Sequence, residues 1–130
     1  MTAATNLYAE AILADPANRR LRETMRTLEW SERIVQLCNI EGLEQIRLAE
    51  AGTMPDALIS YAFAEPTLTG TTLEAEGGAF RSDRRWYAVR FSCTVSAELD
   101  RVTEFRFAVG DPIPEEEWAT HDLIAVDGVE

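Results

Sequence analysis

The sequence predicts an α+β domain, with N-terminal helices packed on one face of a three-stranded antiparallel β-meander. Three observations lead there. Apolar residues in the first half recur three and four apart, which is helical spacing. After Pro66 the period falls to two, with apolar and polar side chains on opposite parities. The alternating runs are joined by short, turn-rich connections, and short connections join antiparallel neighbours.

The first helical run opens at Thr5-Asn6-Leu7-Tyr8, carries Ile12 and Leu13, and stops at Asp15-Pro16. A residue before proline is pushed out of the α region. Residues 17–28 form the second run, with Leu21, Met25 and Leu28 on one stripe and Arg19, Arg20, Arg22 and Arg26 elsewhere. Ser31 is the expected N-cap of the next helix, its hydroxyl accepting from a first-turn N–H, with Trp30 placed to staple that turn. This helix puts Ile34, Leu37 and Cys38 on one face. Asn39-Ile40-Glu41-Gly42 is expected to break or kink it before Leu43, Ile46 and Leu48 continue, and Gly52 ends it. Thr53-Met54-Pro55-Asp56 then reads as a helix restart running to about Tyr61 or Phe63, with Pro66 closing it.

Residues 71–76 alternate, with Leu73 and Ala75 on one parity and Glu74 and Glu76 on the other. Gly77-Gly78 interrupts them, and Ala79-Phe80-Arg81 resumes the strand past a bulge. Ser82-Asp83-Arg84 is a turn. Tyr87, Val89, Phe91, Cys93 and Val95 then share one parity, the clearest strand signal in the chain. Residues 97–100 connect to a third strand, 102–109, whose Phe105, Phe107 and Val109 oppose Glu104 and Arg106. One face of the meander is expected buried beneath the helices and the other wet. Asp111-Pro112-Ile113-Pro114 ends the strand, 115–118 makes one acidic helical turn, and the remaining tail is expected to be extended or frayed.

At 130 residues the chain fits one domain, 1–130, large enough to bury about two-thirds of its unfolded surface. Acidic residues number 23 against 12 basic ones, and the net charge of −11 repels phosphate backbones and anionic headgroups. Nucleic acid is therefore excluded as a partner, and so is insertion of this segment into a membrane, since no apolar run approaches the ~18 residues that a span requires. All basic residues are Arg, so no lysine is present for a Schiff base or a phosphate loop. Residues 1–13 lack the basic start and apolar core of a secretory signal. The chain is then either cytoplasmic or a mature domain cut from an exported precursor.

Cys38 and Cys93 both fall on core-facing parities, one in the helical layer and one in the sheet. Two readings follow: a bridge stapling the layers, or two buried thiols acting as small hydrophobes. With one distant histidine, His121, they do not make a zinc set, and no metal or cofactor is expected. His121 beside Asp122 is not a dyad, because adjacent residues point different ways, and a surface role is expected. Glu41 lies on the apolar side of its helix, where a carboxylate needs a partner such as an arginine or a backbone N–H. Arg81, Arg84 and Arg85 gather around a turn near Trp86, where they form either a solvated turn or a patch for an anionic group. Arg90 and Arg106, with Ser92, Thr94 and Glu104, occupy the wet parity of the sheet.

A family resemblance enters through several segments. Residues 32–38 with Glu41 and Gln45-Ile46, then Ser60-Tyr61-Ala62, Gly78-Ala79-Phe80-Arg81, Trp86-Tyr87 with Arg90-Phe91 and Cys93, and 105–114 closing at Trp118 are together similar to a bacterial domain of unknown function, number 930. The similarity runs from about residue 4 to 123, leaving 124–130 as a tail. It implies the C-terminal domain of a Gram-negative envelope protein, set behind a membrane anchor or signal and a linker. The resemblance therefore implies a periplasmic home, with the cytoplasm as the alternative, and an oxidising periplasm favours the Cys38–Cys93 bridge. It carries no activity or catalytic residues. The leading expectation is a non-catalytic periplasmic domain that binds an envelope protein or small ligand. The alternatives are a small hydrolase or lyase using a buried carboxylate such as Glu41, and a small-molecule-binding domain.

Overall fold

A computed structural model describes residues 1–125. In chain order it contains β1 (Thr2–Ala3), α1 (Ala9–Ala14), α2 (Arg19–Thr27) and α3 (Trp30–Ala49). Five strands follow: β2 (Pro55–Ile59), β3 (Thr67–Thr69), β4 (Thr72–Ser82), β5 (Arg85–Val95) and β6 (Val102–Pro112). Short 3₁₀ turns lie at Pro16–Asn18, Glu115–Glu117 and Ala119–His121. All six strands form one antiparallel sheet of order β1-β6-β5-β4-β2, with β3 also paired to β4.

The β4-β5-β6 meander is the one read from alternation, but three strands understate the sheet. The segment expected as a helix restart is β2. Its capping signals are local, whereas the free edge of β4 offers a row of unpaired backbone groups. Leu58 pairs with Phe80 across that edge and is buried, and Ala57 and Ile59 support the opposite face. Tertiary pairing outweighs a weak capping preference here. Further along the same edge, β3 pairs Thr67 with Glu74 and Thr69 with Thr72. Residues 60–66 loop out between the two pairings, beside the Gly77-Gly78 irregularity.

That irregularity is the expected bulge: the β4–β5 register shifts between Ala75 and Gly78. It switches parity, so Leu73 and Ala75 before it and Phe80 after it all join one core. Gly77 is required by close approach, because a Cβ there would sit 2.6 Å from the backbone N of Ala64. The β4–β5 turn has two residues, Asp83 and Arg84, with φ of 53° and 65°, the geometry of a tight hairpin.

The helix α3 lies across the sheet, burying Ile34, Leu37, Cys38 and Ile46 against Leu73, Phe80, Val89, Phe91 and Phe105. It does not break at residues 39–42. A Cβ on Gly42 would lie 2.8 Å from Leu58 Cδ2 and 3.4 Å from Phe105, so this glycine lets the helix settle on the sheet. The N-cap is Glu29, not Ser31: its carboxylate accepts from the Ser31 backbone N–H at 2.5 Å and from the Ser31 hydroxyl. These bonds hold the Glu29 carboxyl below its ordinary value. Trp30 opens the helix and is 56% exposed, so it staples nothing.

The second face of the sheet is not wholly wet. After β6 the chain folds back, and Ile113 and Leu123, with Trp118, pack over Ala79 and Trp86 as a second, smaller core. The tail is thus not frayed up to Leu123; its residues 126–130 lie outside the described residues.

Candidate functional site

Cys38 of α3 and Cys93 of β5 form a disulfide with a Cα–Cα distance of 6.0 Å. Of the two readings open to the sequence, the bridge is the one found. It closes a separation of 55 residues, which in the chain-entropy view stabilises by about 4 kcal/mol. It ties the middle of the long helix to the central strand of the meander, and both cysteines are fully buried.

One turn beyond Cys38, Glu41 is fully buried. One carboxylate oxygen accepts from the backbone N–H of Tyr8 at 2.9 Å and of Ala9 at 2.8 Å. The other accepts from Tyr8 N–H at 3.0 Å and from the Gln45 amide at 2.7 Å. These N–H groups are the unpaired donors that open α1, and the residue at its N-cap, Tyr8, supplies no side-chain cap. Glu41 therefore caps a neighbouring helix from α3, and its negative charge suits that helix end. Gln45 completes the joint by donating to the Asn6 carbonyl at 2.7 Å. Three N–H donors are thus shared between the two oxygens, and both oxygens are tied to the fold.

The arginines gathered near the β4–β5 turn separate in space. Arg81 is buried, donating to Asp56 at 2.8 Å and to the Ile124 carbonyl at 3.0 Å, with its guanidinium 5.7 Å from the Trp86 ring. Trp86 is buried as well, and its indole N–H donates to the same carbonyl at 3.0 Å. These two side chains clasp the returning C-terminal segment. Arg84 and Arg85 remain exposed at the turn. His121 belongs to the same closure, with Nδ1 2.9 Å from the Ala62 carbonyl and its ring 4.0 Å from that of Phe63.

Arg90 and Arg106 stand on the part of the second face that the C-terminal segment leaves uncovered. Cross-strand register sets Arg106 opposite Ser92, Ser92 opposite Glu74, and Glu104 opposite Thr94. Thr94 in turn meets Thr72 through their hydroxyls at 2.8 Å. Arg90 and Arg106 are exposed and make no ion pair within 4.0 Å among the described residues. The strip is polar and of mixed charge.

A second feature escaped sequence reading. An open cleft of about 360 Å³ lies between α1, α2, α3 and the β5–β6 connection. Arg22, Arg26 and Arg33 line it above an apolar floor that includes Leu13, Met25, Leu37 and Leu99. The four-residue spacing of Arg22 and Arg26 was visible, but the approach of Arg33 and Leu99 is set by packing.

The class so defined is an α+β domain in which a disulfide joins the helical layer to the sheet and the buried Glu41 and Arg81 hold secondary elements in place. A family model described as Domain of Unknown Function (DUF930) matches residues 25–123, and the chain belongs to that family. No curated protein and no solved structure matches the chain.

Proposed function

We propose that the chain is a non-catalytic interaction domain of an envelope-associated protein, working in the periplasm. The uncovered strip with Arg90, Ser92, Thr94, Glu104 and Arg106 carries this reading. It lies on strands paired along their length, and its two guanidiniums have no carboxylate within ion-pair distance among the described residues. Such a surface suits a protein partner with an acidic face, whose carboxylates arginine engages in bidentate fashion. The periplasmic part rests on the disulfide, since such bonds persist in oxidising compartments. No helix among the described residues is long and apolar enough to cross a membrane.

The test is a paired capture from envelope extracts of cells that express the protein. Wild-type protein should retain a defined partner that Arg90→Glu/Arg106→Glu loses while keeping its fold. Retention by both proteins, or by neither, overturns the assignment to this face. Recovery of the native protein in the cytosolic fraction with free thiols overturns the compartment. The hydrolase reading draws no support from Glu41, because both of its oxygens accept from backbone or side-chain donors of the fold. A small-molecule-binding role is favoured by the arginine-lined cleft.

A further inference from the structure

We infer that the cleft between the three helices and the β5–β6 connection binds a single-chain anionic amphiphile: a carboxylate carried on an alkyl chain. This site is separate from the sheet face and does not depend on that reading. Its volume, about 360 Å³, falls within the ~300–1,000 Å³ range of small-molecule pockets. The floor is apolar, with Leu13, Met25 and Leu37 buried and Leu99 half-buried. Around it stand three guanidiniums, and none has an ion-pair partner within 4.0 Å among the described residues.

The acids at the rim are accounted for separately. Asp100 accepts from the Ser96 hydroxyl at 2.7 Å and pairs with Arg101 at 3.3 Å. Glu98 lies 3.9 Å from the same Arg101. Glu10 lines the cleft with no hydrogen bond or ion pair to the three arginines. Three acids facing three arginines make the cleft locally neutral in a chain of net charge −11, so an anion meets less repulsion here than the whole molecule would exert.

Two arginines are anchored by backbone: Arg22 donates to the Leu13 carbonyl and Arg33 to the Arg26 carbonyl, each at 3.1 Å. Both therefore hold their charge in place before any ligand arrives. Arg33 is also under-satisfied, because its Nε is buried without an acceptor. Arg26 is exposed and makes no side-chain hydrogen bond among the described residues, so its guanidinium is available to close over a carboxylate. A head group held by Arg26 and Arg33 leaves the alkyl chain to lie over the leucines and Met25. A hydrophilic anion would leave that floor wet, and a neutral chain would give the Arg26 guanidinium no charged acceptor.

The test uses the whole chain with sodium decanoate below its micellar concentration, followed by calorimetry and by amide shifts in an NMR spectrum. Decanoate should bind and shift amides lining the cleft, such as Ala14 and Leu99. Decanol and a decyl trimethylammonium salt should bind at least about tenfold more weakly, the scale of one charge-assisted hydrogen bond. Arg26→Gln should weaken decanoate by a similar factor with an unchanged wild-type-like spectrum. Should Arg26→Gln perturb the fold, the wild-type ligand series decides alone. Equal binding of decanol and decanoate, shifts confined to other surfaces, or no binding at 1 mM (the roughly −4 kcal/mol limit) overturns the proposal. Vesicles of anionic phospholipid should capture the protein no better than neutral ones, and preferential capture would identify a membrane surface instead.

Discussion

Replacing Glu41 by alanine removes the acceptor for three donors at once: the N–H groups of Tyr8 and Ala9 and the amide of Gln45. The bonds to Ala9 and Gln45 are buried, and each orphaned buried donor costs about 1–3 kcal/mol. The Tyr8 bond is only part-buried, so water takes over some of its role. The gain in helix propensity on going to alanine is a few tenths of a kcal/mol and does not offset this. A net loss of about 2–5 kcal/mol follows, a large share of the ~5–15 kcal/mol typical of a domain. Glu41→Gln keeps the volume but turns an N–H₂ toward at least one of the same donors, and should lose about 1.5–3 kcal/mol. Urea denaturation measures both losses, and hydrogen exchange locates them. The amides of Tyr8 and Ala9 should lose protection while those of β5 in the sheet keep theirs under native conditions. A loss below about 1 kcal/mol for Glu41→Ala, or unchanged exchange at Tyr8 and Ala9, refutes the capping role.

Three further outcomes are expected. Oxidised protein should take up no alkylating label until reduced and denatured, and then two; Cys38→Ala/Cys93→Ala should lose about 4 kcal/mol by chemical denaturation. Labelling without reductant would contradict the bridge. Glu29 is held low by Ser31 and Glu44 by Arg47, so their contributions are complete above the ordinary carboxylate value of 4.5 and fade as pH falls through the lower folded values. The Tm gap between wild type and Glu29→Gln or Glu44→Gln should therefore be constant from neutral pH to about 5 and narrow in more acid solution; a gap that widens on acidification contradicts this. Gly77→Ala drives a Cβ onto the Ala64 backbone and should cost about 2 kcal/mol or more, whereas Gly42→Ala meets side-chain ends, those of Leu58 and Phe105, and gains helix propensity, so it should cost less than about 1 kcal/mol. The reverse order in urea midpoints would refute the close-approach account.

The sequence by itself determined the elements whose pattern is strong and local. Five apolar residues of one parity, from Tyr87 to Val95, specify β5 whatever surrounds them, because only a strand presents that period to a core. The bulge at Gly77-Gly78 was legible too, since glycine pairs inside alternation mark broken register. It also showed that Glu41 sits on an apolar helix face and needs a partner, but Tyr8 and Ala9 lie more than thirty residues away, beyond the reach of any local pattern. Tertiary structure alone decided that Pro55–Ile59 is a strand, that α3 is continuous, and that Arg81 and Trp86 turn inward to hold the returning chain. For the strand and the helix, long-range partners outweighed a local preference worth about 1 kcal/mol. The three arginines of the cleft belong to that second group, since their meeting depends on how the helices pack against the β5–β6 connection.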